Sequence, residues 1–146
     1  MNRLSPRDPH GFAQSISVVA RRWRTRLDER LKPMNMSIAR WGALYWLGQA
    51  GPGLSQAHLA ELAGVEPPTL VRVIDQLEAQ GLVQRRVSPS DRRVNLLYLT
   101  DAALPLVAEI EAEAENLRQE LIGDLSFEEY EMAVNVIQKL RHRLDQ

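Results

Sequence analysis

The stretch from Ser55 to Gly81 most constrains what this 146-residue chain can become, because helix breakers punctuate it at its middle and its end. Ser55 can cap a short helix that presents Leu59, Ala60, Leu62 and Ala63 on one side. Gly64 closes that helix, since glycine takes the left-handed conformation needed just past a helix end. Two prolines follow. A residue before proline is pushed away from the helical region, so Pro67 is expected outside the next helix. Pro68, with its fixed φ and missing N–H, suits the first helical position. A second helix is therefore expected over about residues 68–80, ending at Gly81. Two apolar-rich segments come next, 82–87 and 94–99, joined by Ser88-Pro89-Ser90-Asp91-Arg92-Arg93. That pattern predicts a β-hairpin with a basic, turn-forming tip.

Helical periodicity continues on both flanks. Phe12, Ile16, Val19, Ala20, Trp23, Leu27 and Leu31 recur at helical spacing until Pro33, and Ser37 can cap a helix over about 38–49 that ends in Gly51-Pro52-Gly53. After the hairpin, Thr100 is expected to cap a fifth helix, with Pro105 about one turn in and a stripe of Leu106, Val107, Ile110, Ala114, Leu117 and Leu121. Ser126 begins a sixth, carrying Phe127, Tyr130, Val134, Ile137, Leu140 and Leu144. The expected class is mainly α with a small β-hairpin (α+β): a winged helix-turn-helix flanked by N- and C-terminal dimerisation helices. Residues 1–36, 37–100 and 101–146 are its three parts, within one continuous structural domain. The stripe on the last helix needs a covering surface, either its own lobe or a second chain. Pairing of two chains is the expectation adopted, through Phe12, Ile16, Leu121, Phe127, Tyr130, Val134, Ile137 and Leu140.

Charge is informative only when split. The net charge is −1, yet residues 1–49 hold nine Lys/Arg against three Asp/Glu, and residues 101–131 hold one against ten. Separate basic and acidic surfaces are expected from such asymmetry. The absence of cysteine rules out disulfides, thiol catalysis and cysteine metal sites. His10, His58 and His142 lie far apart in sequence, so no metal and no cofactor are expected. Glu109, Glu111, Glu113 and Glu115 alternate at two residues and fan out around a helix instead of converging. With no nucleophile elbow and no glycine-rich phosphate loop, the chain is not expected to be an enzyme. No apolar run approaches the roughly 18 residues that cross a bilayer, and the segment from Met1 to Asp8 lacks the apolar core of a leader. A cytoplasmic protein without a membrane partner is the expectation.

On the helix over 68–80, Leu70, Val73, Ile74 and Leu77 cluster on one side, and Arg72 lies about 200° around from Leu70. Pro68, Asp75, Gln76 and Ala79 share its outer half, flanked by Thr69 and Val71. A helix fits the major groove of DNA, where arginine pairs bidentately with guanine O6 and N7. Thr69 suits a phosphate or a base edge, and the Val71 methyls could meet a thymine methyl. In the hairpin, Arg85, Arg86, Arg92 and Arg93 outweigh Asp91, which is expected to brace a neighbouring arginine. Such a tip can reach the minor groove. Ser55 and Gln56, opening the preceding helix, complete the expected DNA-facing set. A protein-docking module is the competing class, but its helix face should carry exposed apolar anchors, and this one carries Thr69, Arg72 and Gln76.

The run Gly64-Val65-Glu66-Pro67-Pro68-Thr69-Leu70-Val71-Arg72-Val73-Ile74-Asp75-Gln76-Leu77-Glu78-Ala79-Gln80-Gly81-Leu82-Val83 resembles the recognition helix of MarR-family transcriptional regulators. Ser90-Asp91-Arg92-Arg93 and Leu99-Thr100-Asp101 resemble that family's wing and the start of its next helix. The segment from Arg24 to Met36, including Leu31-Lys32-Pro33, most resembles the SlyA branch. The resemblance implies a homodimer whose first, fifth and sixth helices pair and whose two lobes read an inverted repeat in double-stranded DNA. It implies major-groove contacts at Thr69 and Arg72, and a minor-groove contact from Arg92 or Arg93, with the choice between them open. It also implies a crevice for a small phenolic or aromatic carboxylate, matched here by Arg21 and Arg24 beside Trp41 and Tyr45. Those aromatics could equally be core, and those arginines solvated. A non-specific architectural DNA binder would use the same residues.

Overall fold

The computed structural model describes residue 5 and residues 7–146. Residues 1–4 and 6, over which much of the leader argument was read, lie outside the described residues. The order is α1 (Pro9–Leu31), a 3-10 turn (Lys32–Met34), α2 (Ile38–Ala50), β1 (Leu54–Ser55), α3 (Gln56–Ala63), α4 (Pro67–Ala79), β2 (Val83–Val87), β3 (Asn95–Leu99), α5 (Ala103–Ile122) and α6 (Phe127–Leu144). The chain divides into two compact units, Met1–Glu113 and Ala114–Gln146, so the boundary falls inside α5. No helix among the described residues is long and apolar enough to cross a membrane.

Local chemistry explains most boundaries. Ser37, Ser55 and Ser126 all cap as expected, accepting from the amides of Arg40, His58 and Glu129. Glu129 returns the bond to the Ser126 amide, completing a capping box. Gly64 ends α3 at φ 63°. The first helix starts at Pro9, a turn before its first large apolar residue, because Asp8 caps it through a 2.7 Å bond from the Gly11 amide. Three expectations need correcting. Pro67 is helical after all: its ring already fixes φ in the helical range and the first turn needs no amide from it, so the steric bias against a helical residue before Pro68, a preference and not a prohibition, is overcome behind an extended Glu66 (φ −60°, ψ 139°). Thr100 does not cap α5. Its hydroxyl donates instead to the Gly81 carbonyl at 2.6 Å, and the helix begins at Ala103, with Pro105 still inside its first turn.

The third correction is to the sheet, which has three antiparallel strands in the order β1-β3-β2. Leu54 and Ser55 pair with Leu97 and Leu96, on the edge of β3 that β2 leaves open. A two-residue strand has no periodicity to read, so only the hairpin was legible. In that hairpin Arg85 stands opposite Leu97 and Gln84 opposite Tyr98.

Within the first unit, α2 packs against α1, α3, α4 and β3. Leu44 and Leu47 of α2, Leu59 of α3, Leu70, Ile74 and Leu77 of α4, and Val83 and Leu97 of the sheet are all buried. Polar ties hold the same unit. Asp28 on α1 accepts from the Ile38 amide at the start of α2 (3.0 Å), and Gln80 bridges Arg40 to the Asn35 carbonyl, 2.9 Å on each side. In the second unit, Leu117 is fully buried, whereas α6 contains no buried residue.

Leu44 is 0% exposed at the centre of this arrangement. Leu44→Ala is expected to cost about 2–5 kcal/mol in urea unfolding, through lost transfer energy and an unfilled cavity. A loss below about 1 kcal/mol would show that α2 is not the hub.

Candidate nucleic-acid interface

Helix α4 is amphipathic in the way that matters for recognition. Leu70, Val73, Ile74 and Leu77 are buried, which fixes its rotation about its own axis. Pro68, Thr69, Arg72 and Gln76 are exposed as a result, and Val71 is 39% exposed at their flank. Pro67 and Pro68 carry no amide hydrogens, so α4 lacks two of the donors that usually make a helix start attractive to anions. Side chains must supply the attraction. Arg72 has no hydrogen-bond or ion-pair partner among the described residues.

The loop joining β2 to β3 closes through two backbone bonds, Ser88 N–H to the Val94 carbonyl (2.9 Å) and Val94 N–H to the Asp91 carbonyl (3.1 Å). Ser88 is buried there, sharing a 3.0 Å hydroxyl contact with Ser90. Asp91 clasps Arg93 with both oxygens. Oδ1 accepts from its backbone N (3.0 Å) and Nε (3.1 Å), and Oδ2 from Nη2 (3.2 Å). These bonds from the Arg93 side chain and backbone hold the Asp91 carboxyl below its usual range. The Arg93 side chain is nonetheless 90% exposed, so its guanidinium is aimed but uncovered. Arg92 is exposed, with no partner among the described residues. Arg86 lies over the Tyr98 ring, 4.4 Å from its centroid, and donates to Gln84.

Arg85 is placed differently from its hairpin neighbours. Its side chain is only 18% exposed and is tied to Asp75 (2.7 Å) and Glu78 (3.2 Å) of α4. It also donates to Gln56 Oε1 (3.1 Å) and the Val71 carbonyl (3.3 Å), while its amide donates to Glu78 Oε2 (3.0 Å). Gln56 is thereby engaged within the protein, and the Ser55 hydroxyl is engaged as the α3 cap. The partners Asp75 and Glu78 were not singled out in the sequence. Their i, i+3 spacing on one helix face, close before Arg85-Arg86 in the next strand, is the signal that could have found them.

Elsewhere, Trp41 and Tyr45 sit with ring centroids 6.2 Å apart, and Tyr45 meets Trp46 edge-on at 5.4 Å. The Trp41 Nε1 donor is buried without a partner among the described residues. Arg21 and Arg24 are exposed on α1. Arg24 borders a shallow groove with Thr25, Asp28, Ser37, Ile38 and Ala39, and the aromatic pair does not line it. Phe12, Ile16, Leu121, Phe127, Tyr130 and Ile137 are exposed large apolar side chains, whereas Val134 and Leu140 are half-buried.

A model of the MarR family matches residues 34–94, from the end of the 3-10 turn through the wing. Among solved structures, the transcriptional regulator PA3341 is 36% identical, and the alignment covers 92% of this chain and 98% of that one with a TM-score of 0.78. A mutant MarR from E. coli complexed with operator DNA is 24% identical, with 89% and 93% of the two chains covered and a TM-score of 0.79. The S. aureus MepR–DNA complex is 23% identical, with 91% and 97% covered and a TM-score of 0.81. At those last two identities the likeness is one of fold. The 36% identity over nearly the full length of both chains, joined to the family match across the central lobe, goes further: this chain belongs to the MarR family.

Proposed function

We propose that the chain is a sequence-specific DNA-binding transcription regulator acting as a homodimer on an inverted repeat. One observation carries the reading above others: α4 turns an unpaired Arg72 outward from a helix whose opposite side is anchored by Leu70, Val73, Ile74 and Leu77. In a major groove Arg72 would pair with guanine O6 and N7, Thr69 would take a phosphate or base edge, and Val71 a thymine methyl. Pro68 and Gln76 border that contact, and Ser55, Gln56, Arg86 and Arg92 flank it. The minor groove falls to Arg93, because the Asp91 clasp already restrains the exposed guanidinium and leaves less freedom to lose on binding. The MarR and MepR structures solved with DNA support this reading through their shared fold.

Dimerisation is supported by α6, which contains no buried residue yet carries Phe127, Tyr130, Val134, Ile137 and Leu140 at helical spacing. Together with Phe12, Ile16 and Leu121, these form the proposed contact, with residues 1–36 and 101–146 supplying the dimer helices around a lobe of residues 37–100. A two-fold axis would then set two α4 helices about 34–36 Å apart, one turn of B-DNA. Bound over a promoter, the dimer acts by occlusion or by competition with another DNA-bound protein. The resemblance of the segment from Arg24 to Met36 supports a position near the SlyA branch. A small phenolic or aromatic carboxylate is the proposed effector, with Trp41 and Tyr45 as its stacking surface and Arg21 or Arg24 as its counter-charge. The orphaned Trp41 Nε1 supports that site.

Selection of random duplexes on the purified protein, with its mass by light scattering, tests the core of the proposal. An enriched inverted repeat and a dimer mass are expected; salt-sensitive binding without enrichment would indicate an architectural role, and no binding a protein-docking module. Arg72→Ala should weaken operator binding by about 1–3 kcal/mol and relax one base preference, whereas equal loss on random DNA would reduce Arg72 to a phosphate contact. Arg93→Ala should lower the salt slope by about one, and an unchanged slope would remove the wing from the interface. Salicylate-like acids should shift tryptophan fluorescence and lower operator affinity. No change in either would remove the effector.

A further inference from the structure

Every nitrogen of the Arg85 guanidinium is engaged: Nε with Gln56, Nη1 with Asp75 and Glu78, and Nη2 with the Val71 carbonyl. Resting on the reading of α4 as the DNA-facing helix, this arrangement has an electrostatic meaning. Asp75 and Glu78 are the two carboxylates within α4 and remain 58% and 42% exposed at their side chains. Left uncompensated, they would repel the phosphate backbone. Asp75 also follows Arg72 by three residues, the spacing at which a helical carboxylate and guanidinium pair. With Asp75 held by Arg85 at 2.7 Å, Arg72 has no partner among the described residues.

We infer that Arg85 is a positioning residue that sequesters Asp75 and Glu78, keeping Arg72 free for base readout, and does not itself touch DNA. Its wing location makes it look like a DNA contact in the sequence, but its low exposure and its acidic partners give it the opposite orientation, toward the protein. The carboxylates, in turn, exclude non-cognate use of that arginine by holding it off the phosphates.

The test compares four proteins on the selected operator and on random duplex at several salt concentrations, with thermal unfolding as the check on folding. They are the wild type, Arg85→Ala, Asp75→Asn/Glu78→Gln, and the triple variant combining all three changes. Arg85→Ala should lose about tenfold or more in operator affinity through the two exposed charges. The triple variant should recover to within about threefold of wild type and keep its salt slope, because nothing remains to be sequestered. Asp75→Asn/Glu78→Gln, which retains Arg85, should bind at or above wild-type affinity even if Arg85→Ala fails to fold. A tenfold loss in that double variant, or no recovery in the triple, would overturn the inference in favour of a purely geometric brace. A slope lower by about one in the triple variant would overturn it in favour of a direct phosphate contact. Absence of any DNA binding by the wild type would remove the DNA reading itself, and this inference with it.

Discussion

The rest of the molecule depends on the burial of one side of α4 against α2 and its neighbours. Leu70, Val73, Ile74 and Leu77 occupy that side, and with Leu44, Leu47, Leu59 and Leu97 they form a continuous apolar centre. Hydrophobic burial is non-directional, but the helical period converts it into direction. Once four side chains of a thirteen-residue helix are inside, the bearings of Thr69, Arg72 and Gln76 are set to within the tolerance of packing. The bearing of that exposed face is thus a by-product of the core, while polar ties such as Arg85 to Asp75 act on the side chains it presents.

Charge then determines how that surface behaves. The molecule as a whole is nearly neutral, with a net charge of −1, but its arginines are handled one at a time. Arg72 is unpaired among the described residues, Arg93 is clasped yet open, Arg86 lies on an aromatic face, and Arg85 is consumed by two carboxylates. Four arginines near one another would be equivalent in any sum of charges. Their partners make them four different objects. Exposed ion pairs contribute little to stability, so these partnerships are better understood as controls on where a guanidinium can go.

Much of this was legible in the sequence, for physical reasons that can be named. Serines before apolar periodic runs mark helix starts, and Gly64, just past an apolar helical run, marks a left-handed helix end. Periodicity over the thirteen residues of α4 identified its buried face. What was missed had short range or long range in the wrong place. β1 is too short for a pattern, and at Pro67 the helical preference of a first-turn proline outweighs the steric bias against a helical residue before Pro68. Thr100 had two uses for its hydroxyl, and the Gly81 carbonyl, nineteen residues away, won. Arg85 was counted with its basic neighbours because a linear string shows its charge but not its partners. For Thr100 and Arg85 a tertiary contact overrode a local reading.

Ser55 ends the outer strand of the sheet, paired with Leu96, and its hydroxyl also receives the His58 amide that starts α3. One residue therefore serves as the last rung of a ladder and the first fixture of a helix, leaving no linker between them to absorb strain. The hairpin is thus joined to α3 through β3 and the two residues of β1, with Ser55 as the shared joint. Strand order and helix order meet there on a single residue, its backbone serving the one and its hydroxyl the other.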